Sequence, residues 1–324
     1  MFHNIFSLDL ILDRIIFLDG PTRAGKFLLG KIVSNFMGVE FFQYSAAVEH
    51  LPVFARLSIM SEKDAISYFR LQINMGVYER AIGRNLNTRI NDSSCIKNSS
   101  EKGLYFERAH SQDGPSVLDK LRIEQRIPSF IIHQGMADID FYLKACPMLN
   151  MINMRRHPVD LAYSWIKKGF GIRYGKDPLV FEPLFLNKFN NPVPWFALDF
   201  DDDFTKMSAE DKCIKSIFSI YKADKAAYMR LNAADKKQIL YLCYENFFSR
   251  PASVINTISK FIKREPRENM DEILLREKCN APIKIELRKE KFKKLSLNAS
   301  PQVLDELIEI AKEYESEWHQ ASFL

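Results

Sequence analysis

Two short runs carry most of the chemistry legible in this chain: Gly20-Pro21-Thr22-Arg23-Ala24-Gly25-Lys26 and Arg156-His157-Pro158-Val159-Asp160-Leu161-Ala162-Tyr163-Ser164. In the first, glycines let the backbone approach an anion closely, and the exposed N–H groups and dipole of a following helix favour negative charge. The run formally satisfies G-x-x-x-x-G-K. Phe27, however, stands where metal-dependent nucleoside triphosphatases place the hydroxyl that holds Mg²⁺. A metal-free anion cradle is therefore the expected chemistry, with an ordinary strand-to-helix turn as the bland alternative. In the second run, Arg156 offers a charged planar fork and Ser164 a short donor, and the two can share one phosphate.

These residues need elements to hold them. Residues 15–19 are a short apolar run of the kind that forms a buried parallel strand, and 27–37 carry apolar residues at helical spacing up to Gly38. Residues 149–154 read as another strand, and Pro158 suits the first position of the next helix. On that helix Asp160, Tyr163 and Ser164 fall within about one and a half turns. Residues 127–132 form a third apolar run, with His133-Gln134-Gly135 at its end, where ligands collect in parallel sheets. His133 is the candidate general base, since an imidazole can take a proton from an attacking hydroxyl; a strand-end histidine that hydrogen-bonds a loop is the alternative. His50 and His110 are weaker candidates, His157 sits inside the second run as a structural or exposed residue, and His3 and His319 carry no signal. Farther on, 238–247 read as a strand and polar turn containing Tyr244, whose ring could stack on a base or simply close the strand. A helix follows over 251–262.

The second run resembles the 3′-phosphoadenosine 5′-phosphosulfate (PAPS)-dependent sulfotransferase family, whose Arg-x-Pro-x-Asp pattern ends in Ser eight residues after the Arg; Trp165 continues a Ser-aromatic pairing common there. The resemblance implies that Arg156 and Ser164 contact the donor's 3′-phosphate. It sets Thr22-Arg23-Ala24-Gly25-Lys26-Phe27 on the family's 5′-phosphosulfate loop, with Arg23 in the place of the basic residue. Ala24 and Lys26 depart from the usual Ser and Thr, so either Arg23 or Lys26 could stabilise the leaving oxygen. It also implies His133 as the catalytic base, although other members use Glu, and Tyr244 near the adenine. Arg288-Lys289 resembles the start of a late segment that folds over the donor phosphates, with Glu290 where Gly is expected; a solvated charged face is the competing reading. The expected activity is sulfuryl transfer from PAPS to a hydroxyl or amine without a metal, carbohydrate being the first-choice acceptor and a lipid or small alcohol the next. A P-loop kinase and a non-catalytic nucleotide-binding protein are the alternatives.

The rest of the sequence agrees with one α/β domain over 1–324: a mostly parallel sheet with helices on both faces. The 324 residues are 47% hydrophobic, enough for a large core, and the net charge of +5 suits a polyanionic donor without any nucleic-acid motif. Residues 85–119, rich in Asn, Ser, Gly and charge, and 169–211, with several prolines and the acidic run Asp199-Phe200-Asp201-Asp202-Asp203, are expected to be irregular insertions. The acidic run could bind a cation but reads more readily as a solvated loop. Cysteines 95, 146, 213, 243 and 279 lack metal-site spacing and are expected to be reduced. Asp9, Asp13 and Arg14 interrupt the first apolar stretch, so no secretory signal and no membrane span is expected, and the location expected is cytoplasmic. Oligomeric state leaves no mark in the sequence.

Overall fold

The computed structural model describes residues 4–180, 183–200, 203–279, 281, 284 and 286–323; His3 and, from the acidic run, Asp201 and Asp202 lie outside them. Among the described residues there are seven strands: β1 (Arg14–Asp19), β2 (Gln43–Tyr44), β3 (Ser129–Ile131), β4 (Met148–Arg155), β5 (Phe185–Lys188), β6 (Asn191–Pro194) and β7 (Ile239–Cys243). Five of them form one sheet in the order β2-β3-β1-β4-β7. Every pairing in it is parallel, with Phe17 opposite Phe130 on one side of β1 and Met151 on the other. Strand β2, too short for a hydrophobic run, left no mark in the sequence.

Alternation along β1 and β4 distributes their side chains to two faces, as a pleated strand must. Ile16, Leu18, Ile152 and Met154 share a core with the helices Lys26–Val33 and Pro251–Ile262. Ile15, Phe17, Leu149 and Met151 share another with the helices Ala46–Arg56, Glu62–Ala81 and Ile139–Ala145. Helices thus cover both faces, which is why these strands read as continuous apolar runs. A third core joins Trp165 of the helix Pro158–Lys167 to the long helices Ala209–Arg230 and Pro301–Trp318.

The two stretches expected to be irregular are more ordered than their composition suggests. Residues 85–119 contain the helix Lys102–Arg108 and the start of the helix Pro115–Glu124. They are docked through a buried cluster in which Tyr105 donates to Glu40 at 2.6 Å and Arg108 pairs with it at 2.9 Å. Burial would raise the Glu40 carboxyl, yet Arg108 and Arg126 hold it at about 2. Charges buried as matched pairs look, in a sequence, like a solvated face. Within 169–211, β5 and β6 form an antiparallel hairpin and a short helix spans Phe170–Arg173. All five cysteines are free and buried. No described helix is long and apolar enough to cross a membrane.

His157 opens the helix that carries Ser164: its Nδ1 accepts from the Val159 N–H at 3.3 Å, and its own backbone N–H donates to Glu245 at 3.1 Å. Burial, and then the neighbouring charge of Arg288, push this imidazole down to about 3. The unfolded chain takes up this proton near 6.5, whereas the folded chain does not until far lower pH, so the stability His157 contributes is lost as pH falls below about 6.5. His157→Asn keeps a capping acceptor but cannot be protonated. Thermal midpoints measured between pH 7 and pH 5 are expected to fall less steeply in this variant than in the wild type, the buried Asp224, raised to about 7, titrating in both; an unchanged slope would exclude His157 as a cause of the fall.

Candidate active site

Four neighbouring strands deliver the site at their carboxyl ends. After β1 the chain enters the loop 20–25, after β3 it reaches His133, after β4 Arg156, and after β7 Tyr244. Asp19, fully buried at the end of β1, accepts from Asn153 of β4 at 2.7 Å and from the Gly135 N–H at 2.8 Å, so one carboxylate sets three of these ends against each other.

The loop has a conformation that few sequences tolerate. Gly20, Arg23 and Gly25 all have positive φ, at 135°, 72° and 110°. A Cβ on Gly20 would lie 2.4 Å from the Met154 carbonyl oxygen, and one on Gly25 would lie 2.5 Å from the Tyr244 ring. Both glycines are therefore required by close approach as well as by backbone angle. Lys26 braces the loop from inside, its ammonium donating to the carbonyls of Gly20 at 2.6 Å and Pro21 at 2.9 Å. From outside, Trp165 Nε1 donates to the Thr22 carbonyl at 2.7 Å, Arg156 Nη1 to the Arg23 carbonyl at 2.8 Å, and Arg23 Nε to Ser164 Oγ at 3.2 Å.

Around this loop lies a cavity of about 420 Å³. Thr22, Arg23, Gly25, Lys26, Phe27, Arg156, His133 and Tyr244 all line it, so most of the expected site residues come together. Arg23 is exposed, whereas Lys26 is only 3% exposed. The two cations thus differ in setting: Lys26, nearly buried at the cavity wall, holds the loop through its carbonyls, whereas Arg23 is exposed. Arg156 lies 4.7 Å over the Tyr244 ring, and its buried Nε has no partner among the described residues. An unpaired buried donor beside two further cations is a fit for an anionic oxygen. Tyr244 thus lies against both Gly25 and Arg156, and Ser164 reaches the site through Arg23.

His133 has a partner that sequence spacing gave no means of finding. Its Nδ1 is 2.9 Å from Glu49 Oε2, and the same oxygen accepts the His133 backbone N–H at 2.9 Å. Glu49, on the Ala46–Arg56 helix, is buried and also accepts from the Tyr44 hydroxyl at 3.2 Å. With Nδ1–H donated to the carboxylate, Nε2 is the nitrogen that can accept a proton. The 84 residues between the partners explain why only the fold reveals the pair.

Other expected residues sit elsewhere. Ala24 is fully buried in the core beneath the loop rather than on the cavity. Arg288 is also fully buried, with Nε 2.8 Å from Asp160 and Nη2 3.0 Å from Glu245, and Lys291 completes the cluster on Asp160. It is neither on the cavity nor on a solvated face: it ties the helix Glu286–Leu295 to the start of the Ser164 helix and the end of β7. Lys289 projects to solvent on that same helix and does not line the cavity. His50 lies beside Glu49 at 3.8 Å, and His110 caps its own helix by a 2.8 Å contact with the Phe106 carbonyl.

Residues 138–302, just over half of the chain, match the family model described as the sulfotransferase domain, so the chain belongs to that family. The matched stretch contains Arg156, Ser164 and Tyr244 and leaves out the loop 20–26 and His133. No curated protein sequence matches. Among solved structures, the chain is similar to the sulfotransferase domain of the Synechococcus olefin synthase, at 13% identity and a TM-score of 0.45, over 94% of this chain and 96% of that one. It is also similar to a sulfotransferase from Mycobacterium avium, at 12% identity and a TM-score of 0.44, over 96% and 78%.

Removing one member of a buried charge cluster strands its partners, which costs about 3–5 kcal/mol. Arg288→Ala is expected to lose stability on that scale in urea unfolding, because Glu245 would lose its cation and Asp160 would keep only Lys291. Wild-type stability in this variant would contradict a bracing role.

Proposed function

We propose that the protein transfers a sulfuryl group from PAPS to an acceptor hydroxyl. The observation that carries this reading is the convergence on one cavity of an anion-binding loop, a second arginine with an unpaired buried donor, and a histidine oriented by a carboxylate. Family membership supports the reaction class, and sulfotransferases generally use this donor. Arg23, hydrogen-bonded to Ser164, and Arg156, whose buried Nε is unpaired, place two guanidinium groups on one cavity, which suits a co-substrate with phosphate at both the 5′ and 3′ positions. Tyr244, whose ring packs on Gly25 under Arg156, offers a face to the base. The kinase-like alternative calls for a metal-holding hydroxyl at position 27, where Phe27 presents a ring.

In this mechanism His133 Nε2 takes the proton of the acceptor hydroxyl while that oxygen forms its bond to sulfur. The bond from sulfur to the 5′-phosphate oxygen breaks, and the departing oxygen gains negative charge. Arg23, exposed on the loop, supplies the positive charge that stabilises it, and Lys26 keeps the loop's N–H groups aimed at the same place. Glu49 holds the imidazole in the required tautomer and balances its charge once protonated.

Turnover measured with labelled PAPS checks the assignment. His133→Ala is expected to lose about 10²-fold or more in kcat, the usual worth of a general base. Glu49→Gln is expected to lose less, with the donor KM unchanged. Unaltered turnover in His133→Ala would remove the base assignment, and undiminished turnover in Arg23→Ala would remove the leaving-group assignment.

A further inference from the structure

Beside the cations proposed to hold the donor phosphates, the cavity lining has an apolar part. Phe27 is 41% exposed and Leu179 74% exposed, both lining the cavity together with Phe170 and Val180. This apolar part is built by the segment after the Ser164 helix. Gly169, with φ of 71°, ends that helix, and Phe170 then stacks on Tyr174 at 5.5 Å. The Asp177 carboxylate accepts from Arg173 Nε at 2.6 Å and from the Leu179 N–H at 2.8 Å, which fixes the turn that presents Leu179.

The charges on this segment are unequal. Arg173 is matched by Asp177, whereas the exposed Lys168 ammonium lines the cavity with no partner among the described contacts. Among the described residues of the lining there is no Asp, Glu, Asn or Gln. Those are the side chains that most often pair sugar hydroxyls, although Ser93 also lines the cavity. A polyol lying along Phe27, Leu179, Phe170 and Val180 would lose water from the hydroxyls turned to those walls without replacement bonds, which costs about 1–3 kcal/mol for each group left unpaired.

Resting on the sulfuryl-transfer reading, we infer that the acceptor is an amphiphile: an apolar hydroxyl compound that lies along Phe27 and Leu179 and carries an anionic group, carboxylate or phosphate, held by Lys168. This places the lipid or small-alcohol class ahead of carbohydrate.

Three probes test it by equilibrium binding: 6-hydroxy-2-naphthoate, its uncharged counterpart 2-naphthol, and methyl glucoside as competitor. The naphthoate is expected to bind about three- to five-fold more tightly than naphthol, the scale of an exposed ion pair, and less so in high salt. Lys168→Ala should abolish that preference, and Leu179→Ser should weaken both naphthyl probes by about ten-fold through lost apolar burial. Both side chains are exposed, so neither change threatens the fold. Competition by methyl glucoside at lower concentration than either naphthyl probe would overturn the inference. So would a preference that survives Lys168→Ala, including the case where that variant weakens adenosine 3′,5′-bisphosphate instead. Titration with adenosine 3′,5′-bisphosphate, run in parallel, fails only if the donor reading is wrong, whatever the naphthyl probes do.

Discussion

The site depends on the clamp between the loop 20–25 and the segment from Arg156 to Trp165. Three hydrogen bonds cross it, from Arg156 to the Arg23 carbonyl, from Trp165 to the Thr22 carbonyl and from Arg23 to Ser164. They hold a residue other than glycine in a left-handed conformation, which costs about 1–2 kcal/mol and persists only where the surroundings fix it. The same bonds place two arginines around one cavity. The binding geometry and the loop strain are therefore one feature: an anion that engages Arg156 and Arg23 meets groups already fixed relative to each other across 133 residues of chain.

Charge in this protein divides into two populations. Buried cations are spent on structure: Arg288 with Asp160 and Glu245, Arg108 with Glu40, and Lys26 with the loop carbonyls. Arg23 and Lys168 are exposed and line the cavity, and they are the cations proposed to meet ligands. Sequence alone does not separate the two populations, because an arginine that braces a helix and one that binds phosphate have the same letter and similar neighbours.

That difference marks how far the sequence could be read. The strands β1, β3, β4 and β7 were legible as apolar runs because both faces of the sheet are covered, and Pro158 and Pro251 each begin a helix as expected. The loop was legible because close approach demands glycine at 20 and 25. Strand β2 and the Tyr105 and Arg108 docking of residues 85–119 were not, since a two-residue strand and matched buried charges leave no periodicity. Glu49 was hidden because its role exists only once two distant segments meet. The surroundings of Arg288, read either as donor-binding or as a solvated face, are set by Asp160 and Glu245 far away in the chain.

The proposed donor site places two phosphates in one cavity without a metal. Calorimetric titration with adenosine 3′,5′-bisphosphate and with adenosine 5′-monophosphate, both in excess chelator, tests it most directly. The account predicts saturable binding of the bisphosphate, at least about ten-fold tighter than the monophosphate, as one charged hydrogen-bonded phosphate contact implies. It also predicts that Arg156→Ala removes that preference. Equal affinity for the two nucleotides, or binding of ATP alone and only with Mg²⁺, would contradict it.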